Sequence, residues 1–238
     1  MRFNKAVYPY LNGEKFHNGL FVDFIYEDDD IFVDRISFLK KICSNAKIIH
    51  LGCADHMPLI EKKIANGSWL HKILTDVSES CLGLDINKET INHIKENLGY
   101  NNVYYCDLLA GEIPELEQKQ YDYIVLGEMV EHLDDPVFFL KKLRERFQGR
   151  VEKIIITCPN AMFYRNMIDF SKNRECINTD HRFWFTPYTL AKVLHQSGAN
   201  VEKFYFASPK LSKRNFILKI FYNIFPMYQE NILTIASL

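Results

Sequence analysis

The sequence predicts an α/β protein with a mostly parallel, seven-stranded sheet and helices on both faces. Three observations carry this. Seven short apolar runs, at 47–52, 81–85, 103–106, 123–126, 153–158, 201–207 and 232–236, read as strands. Stretches with helical spacing alternate with them, as a parallel sheet with crossover helices requires. Cap and turn residues punctuate the boundaries: Gly52, Asn87, Asp135-Pro136, Thr186-Pro187 and Gly198.

Taken in order, residues 1–26 are rich in aromatics and hold two Asn-Gly steps, Asn12-Gly13 and Asn18-Gly19. Such steps favour positive φ at both positions, so a loop or hairpin appendage is expected. Residues 27–30 are all acidic and suit the positive end of a following helix. Ile31, Phe32, Ile36, Leu39 and Ile42 then keep near-helical spacing. Residues 1–44 are thus appendage and helix, and 45–238 the main body of a single domain.

The first strand ends at Gly52, and a helical stretch runs on to about Asp76. The second strand ends at Asp85, and Asn87 caps a helix reaching to about Leu98. The third is followed by Asp107. After the fourth, Asp135-Pro136 places a cap before proline at the first helical position. After the fifth, Thr186-Pro187 opens another helix by the same logic, and Gly198 closes it. A longer connection, not a single crossover helix, separates the last two strands.

A chain of 238 residues, 47% hydrophobic and 25% charged, suits one soluble domain with a substantial core. The formal charge of -1 gives no global positive field, so nucleic acid is disfavoured as a partner. Six cysteines form no C-x-x-C pair, and Cys53, Cys81, Cys106 and Cys158 lie in or beside strands. They read as buried thiols in a reducing, cytoplasmic setting without a disulfide framework. Neither a signal peptide nor an apolar run of about 18 residues is present, so no spanning helix is expected.

Ligands of doubly wound sheets sit at the carboxyl ends of the strands. Gly52 stands at one such end, where a missing side chain lets a ligand approach the backbone, though glycine there also serves as a plain turn. Asp85 stands at the next, able to accept hydrogen bonds from ribose hydroxyls or to cap a helix. Asp107 stands at the third, near where an adenine amino group would lie. The three together point to a nucleotide-like ligand.

Several stretches carry a family resemblance: Ile48-Ile49-His50-Leu51-Gly52-Cys53-Ala54-Asp55-His56, Gly83-Leu84-Asp85, the run from Tyr121 to Pro136, Thr157-Cys158-Pro159-Asn160, and Asp180-His181-Arg182-Phe183-Trp184-Phe185-Thr186-Pro187. Over roughly residues 45–207 the chain resembles the class I S-adenosylmethionine-dependent methyltransferases. The likeness is to the broad group of ubiquinone-biosynthesis and polysaccharide-cluster O-methyltransferases. The resemblance implies a Rossmann-like fold, S-adenosyl-L-methionine as cofactor, and cofactor contacts at Gly52, Ala54, Asp85, Ile86, Asp107, Leu108 and Glu128. It implies a small-molecule or saccharide acceptor. The chain departs from the family at His50, where an acid is usual, and at Ala54 and His56, where glycines are usual. Histidine for glycine is expected to forbid the usual backbone conformation or to narrow the methionine pocket.

Glu128, Glu131 and His132 are spaced i, i+3, i+4, so a helix after the fourth strand would present all three on one face. With His181 they would make a divalent-ion site. Similar Glu-x-x-Glu-His arrangements bind metal in relatives that methylate the 2'-hydroxyl at small-RNA 3' ends. Glu128, His132 and His181 are the candidate catalytic residues, with either histidine as the base that takes the acceptor's proton. The plain alternative is that His132 caps or fills a helix face. Phe183, Trp184, Phe185 and Trp69 read as acceptor-pocket lining or core, and Lys141, Lys142, Arg144 and Arg146 as a solvated helix face.

Phe216, Ile217, Ile220, Phe221, Ile224 and Phe225 keep one helical stripe, with Lys210, Lys213, Arg214 and Lys219 nearby. This helix is expected to cover the sheet between the last two strands; the alternative is peripheral contact with a membrane. The N-terminal segment is a candidate for shaping the acceptor pocket or for a dimer contact. The leading expectation is O-methylation of a sugar or glycan precursor. The alternatives are a metal-dependent RNA 2'-O-methyltransferase and a degenerate methyltransferase fold kept as a binding module.

Overall fold

The computed structural model describes residues 1–27, 33–109, 119–209 and 215–238. Most of the acidic run, Ile31, Phe32, Lys210, Lys213 and Arg214 lie outside these. The main sheet is built from β3 (Val33–Asp34), β4 (Lys47–Leu51), β5 (Ser80–Asp85), β6 (Val103–Tyr105), β7 (Tyr121–Gly127), β8 (Val151–Pro159), β9 (Asn200–Ser208) and β10 (Asn231–Ser237). Their order is β3-β9-β10-β8-β7-β4-β5-β6. The seven expected strands are all present, and β3 adds a two-residue edge. All neighbours are parallel except β10, which runs antiparallel to both β8 and β9.

The central strands bury apolar runs on both faces. Ile48, Ile49, Ile124, Val125, Ile154, Ile155 and Ile156 are buried, as a doubly covered parallel sheet demands. β4 leads to β5 and β6 on one side, and β7 to β8 on the other. The strand order therefore reverses between β4 and β7, and their carboxyl ends flank the crevice there.

The helices start where the caps predict. Asn87 Oδ1 accepts from Thr90 N (3.0 Å) ahead of α5 (Lys88–Glu96), and Asp135 Oδ1 from Phe138 N (2.9 Å) ahead of α6 (Pro136–Phe147). Thr186 and Thr189 form a reciprocal capping box on α8 (Pro187–Gln196). The first helix differs. Among the described residues α2 spans Arg35–Ile42, because Asp34 Oδ1 caps it by accepting from Ser37 N (2.8 Å). The stretch after Gly52 is two helices, α3 (Met57–Ala65) and α4 (Leu70–Thr75), broken at Gly67, whose φ of +69° ends the first. A short helix that periodicity did not reveal, α7 (Tyr164–Phe170), follows β8.

At the N-terminus, β1 (Arg2–Phe3) pairs antiparallel with β2 (Phe24–Ile25), with α1 (Tyr8–Leu11) between them. In each Asn-Gly step only the glycine has positive φ (Gly13 +81°, Gly19 +105°), while Asn12 stays at -74°. The loop between β1 and β2 is too long for a two-residue turn, so nothing forces both residues left-handed. This ribbon is built into the main core: Met1, Phe3, Val7 and Leu11 are buried with Phe204 and Leu190, and Phe204 N donates to Met1 O (2.9 Å).

The last helix, α9 (Phe216–Ile224), departs from expectation. It does not cover the sheet, since Tyr222 is its one buried residue while Phe216, Ile217, Ile220 and Ile224 face outward. β8 and β9 already flank β10 edge to edge, and the sheet faces are closed by other helices, which leaves α9 outside.

Candidate active site

Four strand ends line up across the switch point as Glu128 (β7), Gly52 (β4), Asp85 (β5) and Asp107 (β6). Gly52 has φ +70°, a conformation costly for any residue with a Cβ. Its turn is pinned by Gly52 N donating to Leu84 O (2.9 Å). Ala54 N then donates to Asp85 Oδ2 (3.0 Å), while Asp85 Oδ1 accepts from Asn87 N (2.9 Å). Each Asp85 oxygen so engaged keeps a lone pair for one more donor, which suits a pair of vicinal hydroxyls. Burial raises the Asp85 carboxyl above its ordinary value, against the opposing backbone donors. Ile86, beside it, is exposed as an apolar platform. Asp107 Oδ1 accepts from Leu109 N (3.0 Å), and Arg146 Nη1 holds the Leu108 carbonyl (3.0 Å). Arg146 is thus a prop for this loop, whereas Lys141 and Lys142 are solvated as expected. These residues fit an adenosyl cofactor: a glycine turn, a carboxylate with spare acceptors, and an exposed aliphatic beside it.

His56 does not strain the loop. Its φ of -54° and ψ of 124° suit any L-residue, and it occupies the N-cap position of α3. Its ring leaves the glycine turn and reaches Asp180 (Nε2 to Oδ2, 3.4 Å). The glycine loop and the Asp180-His181 segment therefore abut. His50 is buried beside His71, with Nδ1 atoms 3.3 Å apart and rings stacked. Burial holds both imidazoles below their ordinary range, His71 down to about 4, so both are neutral at pH 7. Trp69 is core: its Nε1 donates to Cys53 O (3.1 Å) beneath the loop.

The helix expected over 128–132 does not form. Glu128 N still donates to Thr157 O (2.9 Å), keeping it in register with β8, and its φ of +59° turns the chain into a 3-10 turn over Val130–His132. The consequence is a division of the four expected ligands. Glu128 is engaged by Arg35 (Nη1 to Oε1, 3.2 Å) and Asn231 (Nδ2, 3.3 Å). Glu131, His132 and His181 form a separate group, with one ligand atom from each lying within 4.8 Å of the others. Arg35 and Asn231 were not legible as site residues, because each reaches Glu128 from a distant element.

The histidine segment is clamped in place. Arg182 N donates to Glu131 O (2.8 Å), its guanidinium holds the His132 carbonyl, and its Nε pairs with Asp134 (2.7 Å). His132 Nδ1 lies 3.2 Å from the Asp180 carbonyl, which can only accept, so Nδ1 donates to it and Nε2 is left out of this hydrogen bond. The rings of His132 and His181 meet edge to face at 4.7 Å, and burial followed by His132 lowers the His181 pKa. Glu131 is fully buried, and neither carboxylate oxygen has a hydrogen-bond partner. Burial, followed by the nearby Glu128, pushes its carboxyl up to about 8. Two imidazoles and an unsatisfied buried carboxylate fit a divalent cation, which would supply the missing counter-charge. An open depression of about 510 Å³, lined by His132, Thr179, Asp180, His181 and Arg182, gives access to it. Of the aromatics, Phe185 is core, Phe183 is exposed at the rim, and Trp184 Nε1 donates to Glu175 (2.9 Å).

The family described as methyltransferase domain matches residues 28–203. The fold is similar to that of the small RNA methyltransferase HEN1, with a TM-score of 0.53 at 17% identity over 90% of this chain. This chain spans 26% of that one. It is similar to an S-adenosylmethionine dependent methyltransferase from Mesorhizobium loti, with a TM-score of 0.51 at 14% identity, covering 85% of this chain and 95% of the other. It also resembles the magnesium protoporphyrin IX methyltransferase of Synechocystis with bound SAH, with a TM-score of 0.51 at 12% identity, covering 90% and 89%. At these identities the likeness is one of fold.

Proposed function

Because this chain belongs to the methyltransferase-domain family, as a class I S-adenosylmethionine-dependent methyltransferase, we propose that it methylates a hydroxyl of a sugar or glycan precursor. The observation that carries the acceptor chemistry is the Glu131–His132–His181 group beside the strand ends that bear Gly52 and Asp85. Methyl transfer from a sulfonium is an in-line displacement, and holding the reactants collinear removes several kcal/mol of barrier. S-adenosyl-L-methionine, when bound, supplies the electrophilic methyl group. Asp85 and the Ala54 turn hold the ribose, Ile86 and Leu108 flank the adenine, and Asp107 meets its amino group. Glu128, fixed by Arg35 and Asn231, borders the methionine end.

A hydroxyl acceptor must lose its proton. His132, through the Nε2 that the Asp180 carbonyl does not engage, or His181 beside it, takes that proton. The same group offers a second route in place of a histidine base: Glu131, His132 and His181 would hold a divalent ion through these same ring nitrogens, and the ion would acidify the hydroxyl as a Lewis acid so that its proton passes to solvent. The free cysteines, of which Cys43, Cys53, Cys81, Cys106 and Cys158 are buried, suit a reducing, cytoplasmic setting. The net charge of -1 counts against the RNA alternative.

The test is calorimetric titration with S-adenosylhomocysteine, beside Asp85→Ala. The wild type binds in the micromolar range, and the variant loses on the order of 100-fold through its missing charged acceptor. A folded wild type that binds none would leave the degenerate, non-catalytic fold as the better reading. Methyl transfer to a panel of nucleotide sugars and saccharides, with and without chelator, then assigns the acceptor and the ion.

A further inference from the structure

We infer that α9 and α7 form a face that docks on an anionic lipid surface and brings the acceptor site to the bilayer. On α9, Phe216 (65%), Ile217 (83%), Ile220 (43%) and Ile224 (62%) are exposed, a density of apolar surface far beyond scattered surface leucines. α7 adjoins it, with Tyr164 packed against Phe221 (6.0 Å) and Tyr222 (6.2 Å), and adds exposed Ile168 and Phe170.

The occupant follows from charge and length. Among the described residues, α9 carries the exposed Lys219 and no acid, and α7 with the turn after it, residues 164–174, carries exposed Arg165, Lys172 and Arg174 against Asp169 alone, in a chain whose net charge is -1. Apolar side chains beside concentrated cations match acyl chains beneath anionic headgroups. A second copy seated on the same face would bring these like charges together. At nine residues α9 is about 14 Å long. No helix among the described residues is long and apolar enough to cross a membrane, so α9 lies along the surface.

The face is tied to the site. Asn160, at the carboxyl end of β8, donates through Nδ2 to the carbonyls of Met227 (2.8 Å) and Gln229 (2.7 Å), which follow α9. Asn231, two residues further on at the start of β10, reaches Glu128 at 3.3 Å. The insert therefore sits on the strand-end rim where the acceptor enters. Resting on the O-methyltransferase reading, this names the substrate class: an amphiphilic acceptor, with its sugar at the headgroup level and its tail in the bilayer.

The experiment is co-sedimentation of the full chain with phosphatidylcholine vesicles made with and without phosphatidylglycerol. Ile217→Asp and Ile224→Asp are compared, both at exposed positions that spare the core, with Phe16→Ser as an exposed aromatic control elsewhere. The wild type and the control bind the anionic vesicles, binding weakens with salt, and each aspartate variant loses on the order of 10-fold. Absence of binding, or binding undiminished in both aspartate variants, overturns the inference. So does a concentration-dependent dimer in sedimentation velocity that Ile217→Asp dissolves, since the face would then belong to a second copy. S-adenosylhomocysteine titration of the same samples separates the two readings. Cofactor binding without vesicle binding ends this inference alone, and vesicle binding without cofactor binding ends the enzymatic reading while the face stands.

Discussion

Glu131→Gln isolates the least solvated acid of the candidate site. Glu131 is fully buried with both oxygens unsatisfied, and its carboxyl is raised from 4.5 to about 8. At 1.36 kcal/mol per tenfold in the proton equilibrium, ionising it in the metal-free fold costs on the order of 5 kcal/mol. The unfolded chain releases this proton near pH 4.5, while the folded chain keeps it to about 8. The stability it contributes is therefore complete below 4.5 and lost as pH rises through 8. Glutamine stays neutral across that window. In urea melts with chelator present, the variant gains on the wild type by up to about 1.4 kcal/mol per pH unit. His50 and His71 titrate alike in both proteins and cancel. A divalent cation takes the proton's place, so it restores the wild type at pH 8 and does little for the variant. Stability curves for the two proteins that run parallel across this window would refute both the buried acid and its role as a ligand.

His132→Ala and His181→Ala retain S-adenosylhomocysteine affinity, and the one that serves as base loses about 100- to 10,000-fold in kcat; full turnover in both variants sinks the assignment. His71 contributes in the opposite pH sense to Glu131. Held down from 6.5 to about 4, it supplies stability that is complete above 6.5 and is lost as pH falls through 4, about 3 kcal/mol in all. Urea melts of His71→Gln lack that acid-side loss, and an unchanged acid profile would refute the neutral pair.

The sheet was legible because its strands are apolar on both faces and each ends on a residue with a distinct signature. Asn87, Asp135 and Thr186 marked their helices for a local reason, since a cap bonds a backbone N–H three residues away. What failed was non-local. The spacing of Glu128, Glu131 and His132 reads as one helical face, but β8 holds Glu128 in the ladder and splits the three. Arg35 and Asn231 act on Glu128 from elements far away in sequence. α9 has an ordinary amphipathic stripe, and only its position outside an already covered sheet reveals that the stripe faces outward.

The placement of β10 bears on how the protein is made. β9, and through it β3, is hydrogen-bonded to the rest of the sheet by way of β10. During synthesis these strands leave the ribosome with no ladder to join until residues 231–237 have followed. Phe204, and with it Met1 and Phe3, must wait for the same event, so the earliest and latest residues of the described chain settle together. Contacts of such sequence separation place assembly of this half of the molecule late and make it slow. Until then the exposed edge of β8 is the surface most in need of a chaperone.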